Sequence, residues 1–453
     1  VNENEAREVV HALADLPDLW DVNIAAWHMD SQSSRFAPEG YQEPFTAWVK
    51  QLTSKPVVGV GRFTSPDTMV SQIRRGVLDF IGAARPSIAD PFLPRKIDEG
   101  RVEDIRECIG CNICITGDMT GTPIRCTQNP TMGEEWRKAW HPERIAAKRS
   151  EKRVLIVGAG PAGLEAARAL GQRGYEVHLA EAGRELGGRV SLEARLPGLG
   201  QWARVRDWRV TQISKMGNVS IYRDNSIAAQ DVLDFAAERV VLATGCQWRR
   251  DGYGRSNGRA IEGFARARVH TPDDVLRGAS LPDGPVLVFD DDAFYIGSLM
   301  AEVLRARGHE VIYVTPDDVV GAWTTYTQEY RHVQQRLRTL DVHIITAHNL
   351  LAIEAESAQL ACAYTGREQR VSFASILAIT ARLPNDELQS TVEAREHEWP
   401  DAGIESVTAI GDCLAPGLIA HAVYSGHRYA QELDAPRAGE VPFARRASQP
   451  RMP

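Results

Sequence analysis

Four cysteines within nineteen residues, Cys108, Cys111, Cys114 and Cys126, hold the most distinctive chemistry of this chain. They stand in CIGCNICITGDMTGTPIRC, with two residues between each of the first three and eleven before the last. Thiolates at that pitch can converge from one tight loop. A fourth arriving after a short excursion completes the ligand set of a [4Fe–4S] cluster. Four-cysteine zinc sites come more often as two separated CxxC pairs, so zinc is the weaker reading. A disulfide framework is weaker still, because the rest of the chain reads as cytosolic. The remaining cysteines, Cys246, Cys362 and Cys413, are scattered singly and read as structural thiols.

A second constellation suits phosphate. The run VLIVGAGPAGLEAARALGQRGYEVHLAEA places Gly158, Gly160 and Gly163 in G-x-G-x-x-G between an apolar strand and a helix. Glu181 then closes the next strand, where an acid can take ribose hydroxyls while the helix N-terminus takes the pyrophosphate. Gly188 lies in a further glycine turn, LGGRVS. Asp412 ends VTAIGDC, which with VVLATG reads as a strand returning to the same sheet. A second βαβ unit spans 285–315, but its turn is FDDDAFYIG. Asp290, Asp291 and Asp292 would repel a pyrophosphate and block its approach, so the expectation there is a retained fold without NAD(P)H binding.

The elements that position these groups read as α/β throughout. Before residue 105, three short apolar strands are expected at 20–25, 56–61 and 79–84, with a helix near PDTMVSQIRRG between the last two. Such alternation makes a parallel sheet covered by helices, and about 100 residues can supply three or four of the eight units of a (β/α)8 barrel. The strands leave through GVGRF and GAARPS, so Gly61, Arg62 and Arg85 are candidates for gripping a phosphate. Trp27 and Asp30 follow the first strand; a cation can rest on the one and the other can orient an amine or accept a proton, though locally a packing Trp and a loop Asp would serve as well. The expected organisation is a partial flavin barrel (1–105), an iron–sulfur segment (106–150), a dinucleotide domain (151–280), a degenerate NAD(P)-like domain (281–385), and a return to the dinucleotide domain with a C-terminal tail (386–453).

A net charge of −8 and a pI near 5.9 argue against a nucleic-acid partner. No apolar stretch is long enough to span a membrane and no leader pattern opens the chain, so the expectation is a soluble cytoplasmic protein.

Taken in order, VGVGRF, ARPSIADPFLP, CIGCNIC, CTQNP, GEEWRKAWHPE, VLIVGAGPAG and AIGD resemble the trimethylamine, dimethylamine and histamine dehydrogenase family of iron–sulfur flavoproteins, which is related to the 2,4-dienoyl-CoA reductases. The resemblance covers the later part of such a protein. It implies FMN on Arg85 and the Gly61–Arg62 turn, [4Fe–4S] on the four cysteines, and ADP or FAD on the Gly158 fold. It also implies that Trp27 and Asp30 belong to the substrate site, that an amine is oxidised to imine and aldehyde, and that electrons leave through the cluster to an electron-transferring flavoprotein. The full-length form is expected to be a homodimer. Asp118 stands where trimethylamine dehydrogenases carry a Trp, which points to the histamine branch; a solvated turn is the plainer alternative. An NAD(P)H-dependent dienoyl-CoA reductase fits less well, because the second glycine turn is lost and the third cysteine is spaced one residue closer. The family's early barrel strands are not in this chain, so it is expected to be a fragment, to have a partner supplying them, or to be a non-catalytic electron-transfer subunit without FMN.

Overall fold

The computed structural model describes residues 2–435 apart from Ala355. Three parallel strands, β1 (Trp20–Val22), β2 (Val57–Gly59) and β3 (Phe80–Ile81), lie side by side in chain order. They are shorter than the six-residue runs expected from sequence. After β1 the Asn23 side chain takes the Ile24 amide at 2.8 Å. Beyond β2 the Gly61 carbonyl is taken by Gly40 at 2.7 Å rather than by a neighbouring strand. The helix Pro66–Arg74 forms as its sequence predicts, with proline in the first turn and Gly76 at φ +68° past its end. Val22, Val57, Phe63, Met69, Leu78 and Leu93 make the small core of this region.

Residues 106–131 contain one helix, Ile113–Thr120, entered through Asn112 at φ +57° and left through Gly121 at φ +65°. Non-regular backbone dominates because the segment is built around side chains rather than a hydrogen-bond ladder. It is held from outside by Asn129 Nδ2, which donates to the Ile88 carbonyl at 2.9 Å, and from within by Gln128 Nε2, which donates to the Glu107 carbonyl at 3.0 Å.

The next unit is a five-stranded parallel sheet. β4 (Val154–Val157) is flanked by β5 (Val177–Ala180) on one side and β7 (Arg239–Leu242) on the other; β6 (Val219–Tyr222) and the strand Ser406–Ala409 form its edges. Every residue of β4 is buried, as a central parallel strand covered on both faces should be. A second five-stranded parallel sheet is built around Val286–Asp290, with Val311–Val314 and Ser375–Ile379 beside it. An antiparallel three-stranded sheet, His348–Ser372, is inserted between its last strands. Of the segment expected to end in a C-terminal tail, 386–453, residues 436–453 lie outside the described residues. Among the described residues, no helix is long and apolar enough to cross a membrane.

The helix Ile419–Glu432 closes the dinucleotide unit by lying on the helix Pro161–Arg173. The two approach so closely that a Cβ on Gly426 would sit 2.1 Å from the Ala162 carbonyl oxygen. Gly426→Ala must therefore push the pair apart, and a loss of about 1–3 kcal/mol is expected. A denaturant midpoint indistinguishable from the parent protein would show that the contact yields freely.

Candidate functional site

The four cysteines of residues 108–126 are all free; Cys108 is buried and the other three are half-buried. Burial pushes the Cys111 thiol up to about 12 and the Cys126 thiol up to about 11, and in each case the nearby Cys108 adds to the shift. Cys114 moves the same way, again through burial first and then through the other three cysteines. Neighbouring cysteine sulfurs contribute to the shifts of Cys111, Cys114 and Cys126, which places the four side chains close together. Polar groups already point at them: the Gly110 amide lies 3.3 Å from Cys108 Sγ, Thr127 Oγ1 lies 3.2 Å from Cys111 Sγ, and the Gln128 and Asn129 amides reach Cys126. Among the described residues, no group of three or more His, Cys, Asp or Glu side chains is arranged to hold a single metal ion. Four thiols with amide and hydroxyl donors aimed at them are a donor set that suits an iron–sulfur cluster.

Arg85 and the segment holding Asp30 are tied to this loop. Arg85 Nη1 donates to the Gln32 carbonyl at 2.8 Å and to Asn112 Oδ1. Asn112 Nδ2 in turn donates to the Ser31 carbonyl and, at 2.9 Å, to the Thr327 carbonyl. One side chain of the cysteine loop thus touches the first domain twice and the later domain once. Asp30 ends the short helix Trp27–Asp30, and its Oδ1 accepts from Gln42 Nε2 at 2.9 Å. Beside it, burial raises the Tyr41 pKa, with Asp30 adding to the rise and Arg85 opposing it. Trp27 is 48% exposed. Arg62 departs from the expected phosphate grip. Its guanidinium is buried and donates to the Ala37 carbonyl at 3.0 Å and to Gln201 Oε1 at 2.7 Å. Asp118 is exposed near the end of the Cys114 helix rather than in a turn.

The glycines of the dinucleotide turn have separate jobs. Gly158 adopts φ +103°, and a Cβ there would lie 2.4 Å from the Ala243 carbonyl oxygen. On Gly163 a Cβ would fall 1.9 Å from the Gly158 carbonyl oxygen, so this glycine lets the helix pack on the strand. A Cβ on Gly160 would meet nothing within 4 Å, so the backbone there is open to a ligand at the helix N-terminus. Glu181 accepts from the Ala159 amide at 2.8 Å and the Gly183 amide at 2.9 Å, which fixes its carboxylate at the cleft. Gly188 and Asp412 line the same cavity of about 570 Å³. Asp412 is held by the Gly417 amide at 3.0 Å and by Cys246 Sγ at 3.1 Å.

Two arginines of this cleft escaped the sequence reading. Burial opposes the charge on Arg189 and on Arg382, yet their acidic neighbours prevail and both pKa values rise. Arg189 is paired with Asp273; Arg382 lies 3.5 Å from Asp412. The arginine directly after a GG turn was the available signal for the first, while nothing local marked the second.

In the second unit Asp290 and Asp291 are buried rather than solvated. Asp290 Oδ1 accepts the amides of Asp292 and Ala293 at 3.1 Å each, while Tyr313 donates to Oδ2. Asp291 takes the Ser256 amide and hydroxyl at 2.7 Å each. Asp290 therefore occupies turn N–H groups that would otherwise be free to meet a pyrophosphate.

Comparison with known proteins agrees with this architecture. Residues 152–426 match the pyridine nucleotide-disulphide oxidoreductase family, and residues 2–104 match the NADH:flavin oxidoreductase / NADH oxidase family. The first match covers more than half of the chain, which belongs to the pyridine nucleotide-disulphide oxidoreductase family. Among individual relatives, dimethylamine dehydrogenase of Hyphomicrobium sp. (strain x) is 40% identical, over 94% of this chain and 62% of that protein. Histamine dehydrogenase from Rhizobium sp. 4-9 superposes with a TM-score of 0.95 at 52% identity, covering 98% of this chain and 65% of the other. The 6-hydroxypseudooxynicotine amine oxidase HisD from Pseudomonas geniculata N1 gives a TM-score of 0.91 at 48% identity, covering 95% and 64%. The chain thus spans a little under two thirds of these relatives, and the expected resemblance to the dimethylamine and histamine dehydrogenases holds.

The buried turn has a pH signature. Burial, with Asp292 adding to it, lifts the Asp290 pKa to about 7. An acid raised in this way costs nothing while protonated in both states, and it destabilises the fold progressively as pH rises from about 4 to about 7. Asn at 290 can keep both amide bonds on its oxygen while carrying no charge. Asp290→Asn is expected to flatten this part of the profile, with its advantage over the parent larger at pH 8 than at pH 5. Urea midpoints at the two pH values decide it; an equal difference at both would refute the assignment.

Proposed function

We propose that this chain forms the later part of a cytoplasmic iron–sulfur flavoprotein that oxidises a small amine, of histamine or methylamine type, to an imine and then an aldehyde. Electrons pass to an electron-transferring flavoprotein, and the full-length protein works as a homodimer. One observation carries the reading. The segment holding Asp30, the candidate phosphate residue Arg85 and the four-cysteine loop are joined in one hydrogen-bonded neighbourhood through Asn112.

In this reading FMN supplies a two-electron acceptor and a [4Fe–4S] cluster a one-electron carrier. Arg85 and the backbone of Gly61 hold the FMN phosphate; the Arg62 side chain is already engaged by Ala37 and Gln201 and contributes only through its main chain. Cys108, Cys111, Cys114 and Cys126 hold the cluster. Gly158, Gly160, Gly163, Glu181, Gly188 and Asp412 hold ADP, or FAD, in the second cleft. The exposed indole of Trp27 offers a face to the cationic amine. Asp30, steadied by Gln42, orients the amine and accepts its proton. Asp118 receives the second polar group of a substrate such as histamine.

Anaerobic extraction is expected to yield four irons per chain, the content of one [4Fe–4S] cluster, together with FMN and ADP. Four irons with nucleotide but no FMN would instead support an electron-transfer chain that does not catalyse alone. In the full-length protein, Asp30→Asn is expected to lower kcat/KM for amine-dependent flavin reduction by roughly 10²–10⁴-fold. A full-length protein whose flavin no amine can reduce would overturn the proposal.

A further inference from the structure

The dinucleotide helix Pro161–Arg173 is wired to the cysteine loop by a chain of buried polar contacts. Glu165, on its second turn, and Arg209, on the helix Arg204–Ser214, form an ion pair at 2.8 Å in which both side chains are fully buried. Arg209 also grips Gln128: Nη1 donates to its Oε1 at 2.9 Å and Nη2 to its carbonyl at 3.0 Å. Gln128 in turn touches both ends of the cysteine set. Its amide reaches Cys126, and its side chain binds the carbonyl of Glu107, the residue before Cys108.

The charges around this wire are balanced in number but not equally near it. Arg106, Arg168 and Arg209 place guanidinium groups 5.0–5.7 Å from the Trp208 ring. Facing them are Glu165, which also takes Arg168 and His427, and Glu143 and Asp90, which hold Arg106. His427 is pushed toward neutrality by burial, against the pull of Glu165, and adds little positive charge. Arg209 is the cation in direct contact with the Gln128 clip, and Glu165 lies one link further away. Burying so complete an ion pair is costly, and a hydrophobic substitute would often stabilise more.

We propose that Arg209 is a positioning residue for the cluster: through Gln128 it fixes the backbone donor to Cys126, and its buried positive charge raises the cluster's reduction potential. A cluster gains negative charge on accepting an electron, so a fixed cation nearby favours the reduced state. The inference rests on the iron–sulfur reading of the four cysteines.

The test is anaerobic redox potentiometry followed by EPR on the purified protein, with iron quantified in each sample. Arg209→Gln is expected to lower the midpoint potential, and Glu165→Gln, which keeps the guanidinium and removes its counter-charge, to raise it. A loosened fold would not move the two in opposite directions. If the single variants do not accumulate, Glu165→Gln/Arg209→Gln removes both charges and is expected to lower the potential, because the lost cation is the nearer. Singles that shift together or not at all, or a double variant that is unmoved or raised, would overturn the role of Arg209. Parent protein without iron would overturn the cluster reading and this inference with it.

Discussion

Four sulfurs set close together resist one another. Burial makes each anion there hard to form, and a neighbouring sulfur adds to the difficulty, as the raised pKa values of Cys111, Cys114 and Cys126 record. The fold around residues 106–131 answers that repulsion. Amide and hydroxyl donors point at the sulfurs, Gln128 draws the two ends of the loop together, and guanidinium groups stand behind them. The burial-raised thiols of Cys111, Cys114 and Cys126 would have to give up protons to bind a metal. The loop's lack of regular structure follows, because its backbone donors serve side-chain chemistry instead of a ladder.

The two nucleotide-type sheets show how little separates an open phosphate turn from a closed one. Both have a buried parallel strand running into a helix. In the first, Gly160 leaves the helix N-terminus bare; in the second, the Asp290 carboxyl has folded back on to the amides that a ligand would need. The carboxyl serves as an internal hydrogen-bond acceptor that cannot leave. The fold survives because its core depends on Val286–Phe289 and the helix behind them, and the turn contributes only local hydrogen bonds.

Much of this was legible in the residues. Apolar runs, glycine turns and an acid at a fixed distance specify a parallel nucleotide sheet, since each demand is local: φ above zero at Gly158, close packing at Gly163, open space at Gly160. The cysteine spacing was legible for the same reason. Strand lengths in the first domain were not, because Asn23 and Gly61 divert the backbone through contacts that sequence pattern does not record. The direction of Arg62 was hidden as well: its partner Gln201 lies more than a hundred residues away, and a side chain's aim depends on which distant group completes its hydrogen bonds. Arg382 and Arg209 were invisible for that reason too, being ordinary surface-type residues until the fold encloses them.

Asn112 gives these long-range contacts a mechanical meaning. A single amide side chain bonds the Ser31 carbonyl, Arg85 and the Thr327 carbonyl, and so belongs to three parts of the chain at once. A joint of that kind has no slack: a rotation of either outer domain must break one of its bonds or carry the cysteine loop along. The interval between the first domain and the loop is then a constant of the fold rather than a variable of its motion. In a protein proposed to send electrons across that interval, whose transfer weakens steeply with separation, a rigid gap fixes the pace at which one site can empty into the next.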